Sequence, residues 1–235
     1  MGREQLEVDV LFVGAGPASL AGALHLSRLI RDHNEALESG TKSGEKLEDL
    51  MLLVVEKGRE IGSHALSGAV VDPRAFDELL DGITDESPPY DAPVEDDALY
   101  ILTHSGSFRS PITPPPLQNH GYYVASLGKL VKWMAELCET NGVEVYPEFP
   151  AVELLYQGDS IVGVRMGDKG IDKDGTPKSN AEPGIDVLAK VTVLGEGPRG
   201  TLTRQAEQRL NLNEKSHPQI YALGVKEIWQ SSREI

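Results

Sequence analysis

The segment Gly14-Ala15-Gly16-Pro17-Ala18-Ser19 stands between a short apolar run, Val8–Val13, and residues spaced like one helix face, Leu20, Ala23, Leu24, Leu26 and Ile30. The run reads as a buried strand and the spacing as a helix over Ala18–Arg31. A second apolar run, Met51–Val55, ends on the acid Glu56. Strand, glycine turn, helix and strand form a βαβ unit, whose crossover is parallel and right-handed. Each glycine has a physical task in such a unit. Gly14 permits the tight turn, and Gly16 lets backbone approach a pyrophosphate resting on the free N–H groups of the helix start. The third position of the pattern, where helix packs on strand, holds Ser19, which is small but not glycine. Glu56 stands where a carboxylate accepts hydrogen bonds from the ribose hydroxyls of an adenosine. It follows Gly16 by 40 positions, against about 20 in the usual pattern. The polar stretch 34–49, with Ser39-Gly40-Thr41-Lys42-Ser43-Gly44 at its centre, accounts for the excess as a surface loop or helix extension outside the sheet. The first 56 residues therefore read as the ADP-binding half of a dinucleotide fold.

Beyond Glu56 the chain alternates short elements. Ile61–Val71 is rich in Gly and Ser, and Asp72-Pro73 opens a short helix carrying Phe76, Leu79 and Leu80. Residues 82–97 read as an acidic loop, Tyr100–Thr103 and Ser107–Arg109 as a hairpin, and the four prolines of Pro111–Pro116 exclude helix or central strand. Ser126 caps a helix to Thr140 whose stripe is Leu127, Leu130, Val131, Met134, Leu137 and Cys138, and Gly142 closes it. Strands follow at Val143–Tyr146, Ala151–Tyr156 and Ile161–Met166, then a polar excursion over Asp168–Gly184. Val187–Leu194 is a strand, Arg199–Leu210 a helix and Ile220–Val225 the start of another strand. This divides the chain into a βαβ core (1–80), an inserted region with the 126–140 helix (81–150), a return to the core (151–215) and the incomplete opening of a further domain (216–235).

Composition closes off several function classes. The chain of 235 residues carries 22 Lys+Arg against 37 Asp+Glu, a net charge of −15. A nucleic-acid binder needs a basic face, so that class is excluded, and simple adhesion to anionic lipid is disfavoured. The one cysteine, Cys138, allows neither an internal disulfide nor a four-cysteine cluster, and its place in an apolar stripe predicts a buried thiol. The six histidines (25, 33, 64, 104, 120 and 217) lack ligand spacing and read as surface or packing residues rather than metal ligands. Met1–Leu6 has neither the apolar core of a secretory signal nor the Arg/Ser-rich character of a transit peptide. No stretch is long and apolar enough to span a membrane.

Pro17 directly after the second glycine, and the continuation Glu56-Lys57-Gly58 to Ile61-Gly62, resemble flavoproteins of the glutathione-reductase type. The resemblance implies FAD as the cofactor. It implies an α/β, Rossmann-like FAD/NAD(P)-binding fold with an inserted strand-containing region, here truncated. Such folds place backbone of the Val145–Tyr156 strand pair around the adenine, which makes Val152 a candidate, and Gly195-Glu196-Gly197 resembles their second glycine-bearing turn near the flavin. The implied cofactor residues are Gly14, Gly16, Pro17, Ala18, Ser19, Glu56, Lys57, Val152, Gly195, Glu196 and Gly197. No side chain is expected to act as an acid–base catalyst.

A narrower likeness runs over nearly the whole chain. Val8–Pro17, Val55–His64, Leu66–Pro73, Asn119-His-Gly-Tyr-Tyr123, Leu127–Met134, Gly142–Pro147, Gly170-Ile-Asp-Lys-Asp-Gly175 and Val193–Gly197 together resemble the amino-terminal portion of the electron transfer flavoprotein–ubiquinone oxidoreductases. That family implies FAD, a four-iron four-sulfur (4Fe-4S) cluster and a quinone site, with electron transfer flavoprotein as donor and ubiquinone as acceptor. The cluster's ligands are not in this chain. The stretch matching 61–81 implies contact with one leaflet, placing a full-length member on the cytoplasmic face of a bacterial inner membrane, or on the mitochondrial inner membrane. A nitrogen-fixation-associated branch without the cluster domain stays open. So do an FAD-dependent reductase or monooxygenase of the geranylgeranyl-reductase type using NAD(P)H, and a non-catalytic FAD-binding piece.

Overall fold

The computed structural model describes residues 3–66, 68–225, 227, 230 and 232. Strand β1 (Gln5–Val13) leads through the glycine turn into helix α1 (Pro17–Glu38), and β2 (Leu52–Val55) follows. Next come β3 (Ala69–Val71), α2 (Arg74–Leu80), β4 (Tyr90–Pro93), the hairpin of β5 (Tyr100–Thr103) and β6 (Gly106–Arg109), and β7 (Tyr123–Ala125). The chain continues through α3 (Leu127–Thr140), β8 (Val143–Tyr146), β9 (Ala151–Gln157) and β10 (Ser160–Met166). It then runs through β11 (Lys169–Ile171), β12 (Pro177–Glu182), β13 (Asp186–Leu194) and α4 (Thr201–Leu210).

The main sheet has the order β8-β2-β1-β13-β10-β9. Its first four strands are mutually parallel, and the last two form an antiparallel hairpin on β13. All four residues of β2 are buried, as a parallel strand covered on both faces requires. Side chains alternate across the sheet with a period of two. Phe12 and Val54 join Leu20, Leu24, Val131, Met134 and Cys138 of α1 and α3 on one face. Leu11, Leu53 and Val55 join Leu154, Val164 and the α4 residues Leu202 and Ala206 on the other. Asp9 interrupts the apolar run of β1 for a reason. Its carboxylate accepts the Met51 N–H at 2.8 Å and meets Lys190 Nζ at 2.6 Å, tying β1 to the strands on either side. Both partners hold the Asp9 pKa below its ordinary value, Lys190 more than Met51.

The register positions everything that follows. Val13 lies opposite Val55 of β2 and opposite Leu194 of β13, and Val55 lies opposite Tyr146 of β8. Gly14, Glu56 and Gly195 are therefore the next residues off three adjacent parallel strands. That carboxyl edge is where open α/β sheets bind ligands.

Several expectations change. Helix α1 runs seven residues past Arg31, to Glu38, and only then does the chain loop back. The loop is tied to the helix by Lys46 with Glu38 at 2.7 Å and by a reciprocal pair of 2.9 Å bonds between Asn34 and Leu47. Helix and loop together keep the extra length off the sheet. A small sheet, β3-β7-β4, forms where no strand was expected, β4 within the stretch read as an acidic loop. Its strands are three to four residues long, too short for a periodic signal, and the stacked pair Tyr90–Tyr123, 4.3 Å between ring centres, packs it. The polar excursion over 168–184 contains the β11–β12 hairpin. Helix α3 and strand β8, grouped by sequence with the inserted region, lie in the main layer, because Leu130, Val131 and Val143 are fully buried there. No strand forms over 220–225: Ile220, Leu223 and Val225 are almost fully exposed, and β-propensity without a pairing partner makes no ladder. The rest of 216–235 lies in part outside the described residues. In 61–81, Ile61, Phe76, Leu79 and Leu80 pack on the α1–α3 core. No helix among the described residues is long and apolar enough to cross a membrane.

Candidate functional site

A cavity of about 550 Å³ lies over the carboxyl edge of β1, β2 and β13. Gly14, Gly16, Pro17, Glu56, Lys57, Gly195, Glu196 and Gly197, eight of the eleven residues expected from sequence, line it. The size suits a small-molecule or cofactor site.

The two glycine turns interlock. Gly14 has φ +98°, and a Cβ there would meet the Gly195 carbonyl oxygen at 2.7 Å. Gly195 in turn faces Ser19, whose Oγ would stand 1.9 Å from an added Cβ. Gly14 N–H donates to the Val55 carbonyl at 2.8 Å, and Gly195 N–H to the Val13 carbonyl at 2.9 Å. A Cβ on Gly16, by contrast, would meet nothing within 4 Å and would fill the mouth of the cradle. Gly16 caps α1 and Pro17 occupies its first turn. The following N–H groups lack intrahelical acceptors, which leaves a positive helix end facing the cavity.

Glu56 closes the other side. Its Oε2 accepts the Ala15 N–H at 3.0 Å and its Oε1 the Gly58 N–H at 2.8 Å. The carboxylate of β2 is thereby fastened to the glycine turn of β1, across the 40-residue separation. Its backbone is fixed as well: Glu56 N–H donates to Tyr146, and Phe149 N–H donates back to Glu56. This brings Phe149 and Ala151 onto the cavity wall.

Three expected residues stand elsewhere. Ser19 is buried and packs on Gly195 instead of facing the cavity, and its Oγ has no hydrogen-bond partner. That position serves helix–strand contact, which is why it must be small. Ala18 lies just outside the lining, one residue into the helix. Val152, expected to offer its backbone, is not among the lining residues; its side chain lies beside Gly167, and the neighbouring Ala151 of the same strand lines the wall. Glu196 lines the cavity, and its carboxylate caps α4. It accepts N–H bonds from Thr201, Leu202 and Thr203 at 2.8–3.2 Å and the Thr203 hydroxyl at 2.9 Å.

Sequence reasoning missed two cationic or potentially cationic residues on the wall, Arg199 and His64. With Lys57 they gather basic groups around one cavity of an acidic chain. The Arg199 guanidinium lies 5.3 Å from the centre of the Tyr221 ring. His64 Nδ1 lies 3.3 Å from Glu56 Oε1. The available signal was position: the segment after Glu56 must cross the strand ends, and Gly62 packs it against α3, where a Cβ would meet the Gly128 carbonyl at 2.8 Å. Cys138 behaves as expected. It is fully buried, donates to the Leu20 carbonyl at 3.5 Å, and burial pushes its thiol pKa up to about 12.

No family model matches the chain. Among curated proteins, the mitochondrial electron transfer flavoprotein-ubiquinone oxidoreductase of Sus scrofa is 42% identical over 231 residues, covering 97% of this chain and 35% of the relative. The enzyme of the same name from Arabidopsis thaliana is 42% identical over 231 residues, with 97% and 34% covered. Over nearly its whole length the chain is similar in sequence to part of the electron transfer flavoprotein-ubiquinone oxidoreductases. It spans about a third of the length of these relatives. Among solved structures, the myxobacterial chondrochloren halogenase, described as a new variant of FAD-dependent halogenases, aligns with a TM-score of 0.53. That alignment has 17% identity and covers 85% of this chain and 39% of that one, a likeness of fold. The glycine turns and Glu56 described above are carried on an α/β Rossmann-like frame.

Proposed function

We propose that the cavity binds FAD and that the protein carries electrons from reduced electron transfer flavoprotein to ubiquinone. The observation that carries the cofactor reading is the Glu56 carboxylate, fixed by Ala15 and Gly58 beside a glycine turn with an open Gly16. The residues present fit the group. The first-turn N–H groups of α1 and the nearby basic side chains suit a pyrophosphate, Glu56 a ribose, and Phe149 and Ala151 an adenine. The turn Gly195–Gly197 supports the opposite end. FAD, when bound, supplies the redox chemistry, and the protein's part is binding, orientation and electrostatics. Gly14 and Gly195 hold the two turns in contact, Glu56 fixes the adenosine end, and the apolar wall of Leu127 and Val131 excludes water.

The donor and acceptor are read from the names of the relatives. The chain's own residues do not fit a four-iron four-sulfur cluster: Cys138 is buried and bonded to Leu20, so no step is assigned to one here. The test uses the full-length protein. Reduced electron transfer flavoprotein is expected to reduce its flavin and, with a quinone analogue, to turn over. Reduction by NADPH, with none by the reduced flavoprotein, would overturn the electron-transfer reading and favour a reductase of the geranylgeranyl type.

A further inference from the structure

We propose that His64 is the positioning residue for the Glu56 carboxylate, and so sets recognition of the adenosine half of the cofactor. The inference rests on the FAD reading above and adds to it a residue that the glycine pattern does not contain. A carboxylate only accepts hydrogen bonds, so His64 Nδ1 carries the proton in the 3.3 Å contact with Glu56 Oε1. Oε1 then has two donors, the Gly58 N–H and the His64 ring, whereas Oε2 has one, the Ala15 N–H. Each carboxylate oxygen has two acceptor positions. His64 saturates Oε1 and leaves the open position on Oε2, so an incoming hydroxyl meets one orientation of the group. Without the ring, the carboxylate is held by one bond per oxygen and loses that asymmetry.

Gly58 supplies an independent observation. A Cβ at that position would stand 3.1 Å from Glu56 Oε1, 3.2 Å from His64 Nδ1 and 3.2 Å from the Glu60 carbonyl. Its φ is not in the left-handed region. The absence of a side chain therefore serves space, not backbone conformation, and the space is that in which the carboxylate and the ring meet. His64 lines the cavity and makes no other hydrogen bond among the described residues. It is 62% exposed at the side chain, so its contact with Glu56 is not forced by close packing.

The test is calorimetric titration of the chain with FAD and, separately, with ADP. His64→Ala is expected to weaken both by about tenfold, the scale of one lost hydrogen bond to a charged group. His64→Asn, whose amide N–H stands near the place of Nδ1, is expected to recover affinity to within about threefold. Gly58→Ala is expected to weaken FAD and ADP alike. The thermal midpoints of the His64 variants should match that of the parent chain. Unchanged affinities in His64→Ala would overturn the proposal. So would a loss for FAD with none for ADP, which would put His64 at the flavin end. A His64→Asn variant as weak as His64→Ala would mean the ring's bulk matters and its hydrogen bond does not. If the parent chain binds neither FAD nor ADP, the cofactor reading fails, and this inference with it.

Discussion

At the scale of single residues, the site depends on contacts that leave no room for a methyl group. Gly195 and Ser19 form the tightest, with an added Cβ only 1.9 Å from Oγ. Gly195→Ala is expected to cost about 2–3 kcal/mol, in the range of overpacking. Ser19→Ala alone is expected to be neutral or slightly stabilising, because it removes a buried hydroxyl without a partner. The double variant should be more stable than the two single effects predict, since the clash and the hydroxyl share one space. Chemical denaturation of the four proteins measures this coupling, and strict additivity would contradict it. Cys138 gives a second prediction. With its thiol pKa at about 12 and no solvent exposure, it should resist thiol reagents at neutral pH in the folded chain and react fully in denaturant. The convergence of the glycine turn and Glu56 on one cavity was legible because the dinucleotide pattern gives a specific task to each. The packing role of Ser19 was legible too, since the third position of the pattern demands a small residue between helix and strand, whereas the wall position of Ala151, next to Val152 on β9, was not.

At the scale of elements, the carboxylates at Asp9 and Glu196 organise the frame. Asp9 links β1 to β2 and β13, and its pKa is lowered in the fold. A lowered carboxylate pKa contributes stability that is present above its unfolded value, 3.8, and is lost as pH falls through the folded value. Asp9→Asn should therefore lower stability at pH 7 and flatten the acid limb of the stability curve below about pH 4, as read by urea midpoints across pH. An unchanged acid limb would contradict the assigned role. Glu196 serves α4 through its four hydrogen bonds. Glu196→Ala should cost about 1–2 kcal/mol, as other lost N-terminal caps do. It should change FAD affinity by less than twofold, because the carboxylate faces the helix, not the cavity. The long elements were legible in the sequence: β1, α1, α3 and β13 carry enough periodic residues to declare themselves. The strands β3, β4 and β7 did not, since three or four residues carry too little pattern; Tyr90 of β4 stacks on Tyr123 of β7.

At the scale of the whole molecule, register connects the parts. Three parallel strands end level, so residues far apart in sequence, Gly14, Glu56 and Gly195, become neighbours at one edge. That convergence makes one cavity from two glycine turns and an acid. It was only half legible. The sequence gives the order of the strands' ends but not their alignment, and the wall residues Phe149, Arg199 and His64 come from connections that carry no pattern of their own. The exposed Ile220, Leu223 and Val225 show the same limit from the other side: β-propensity without a partner strand does not make a strand. The cavity is proposed here as an FAD site built on Gly16 and Glu56. The most direct measurement is the flavin bound per chain after saturation with FAD and removal of the excess, read from the visible absorbance. The expected result is close to one FAD per parent chain, with little or none bound by folded Gly16→Val, whose side chain fills the cradle, and by folded Glu56→Ala. A parent chain that retains no flavin, or variants that retain as much as the parent, would contradict it.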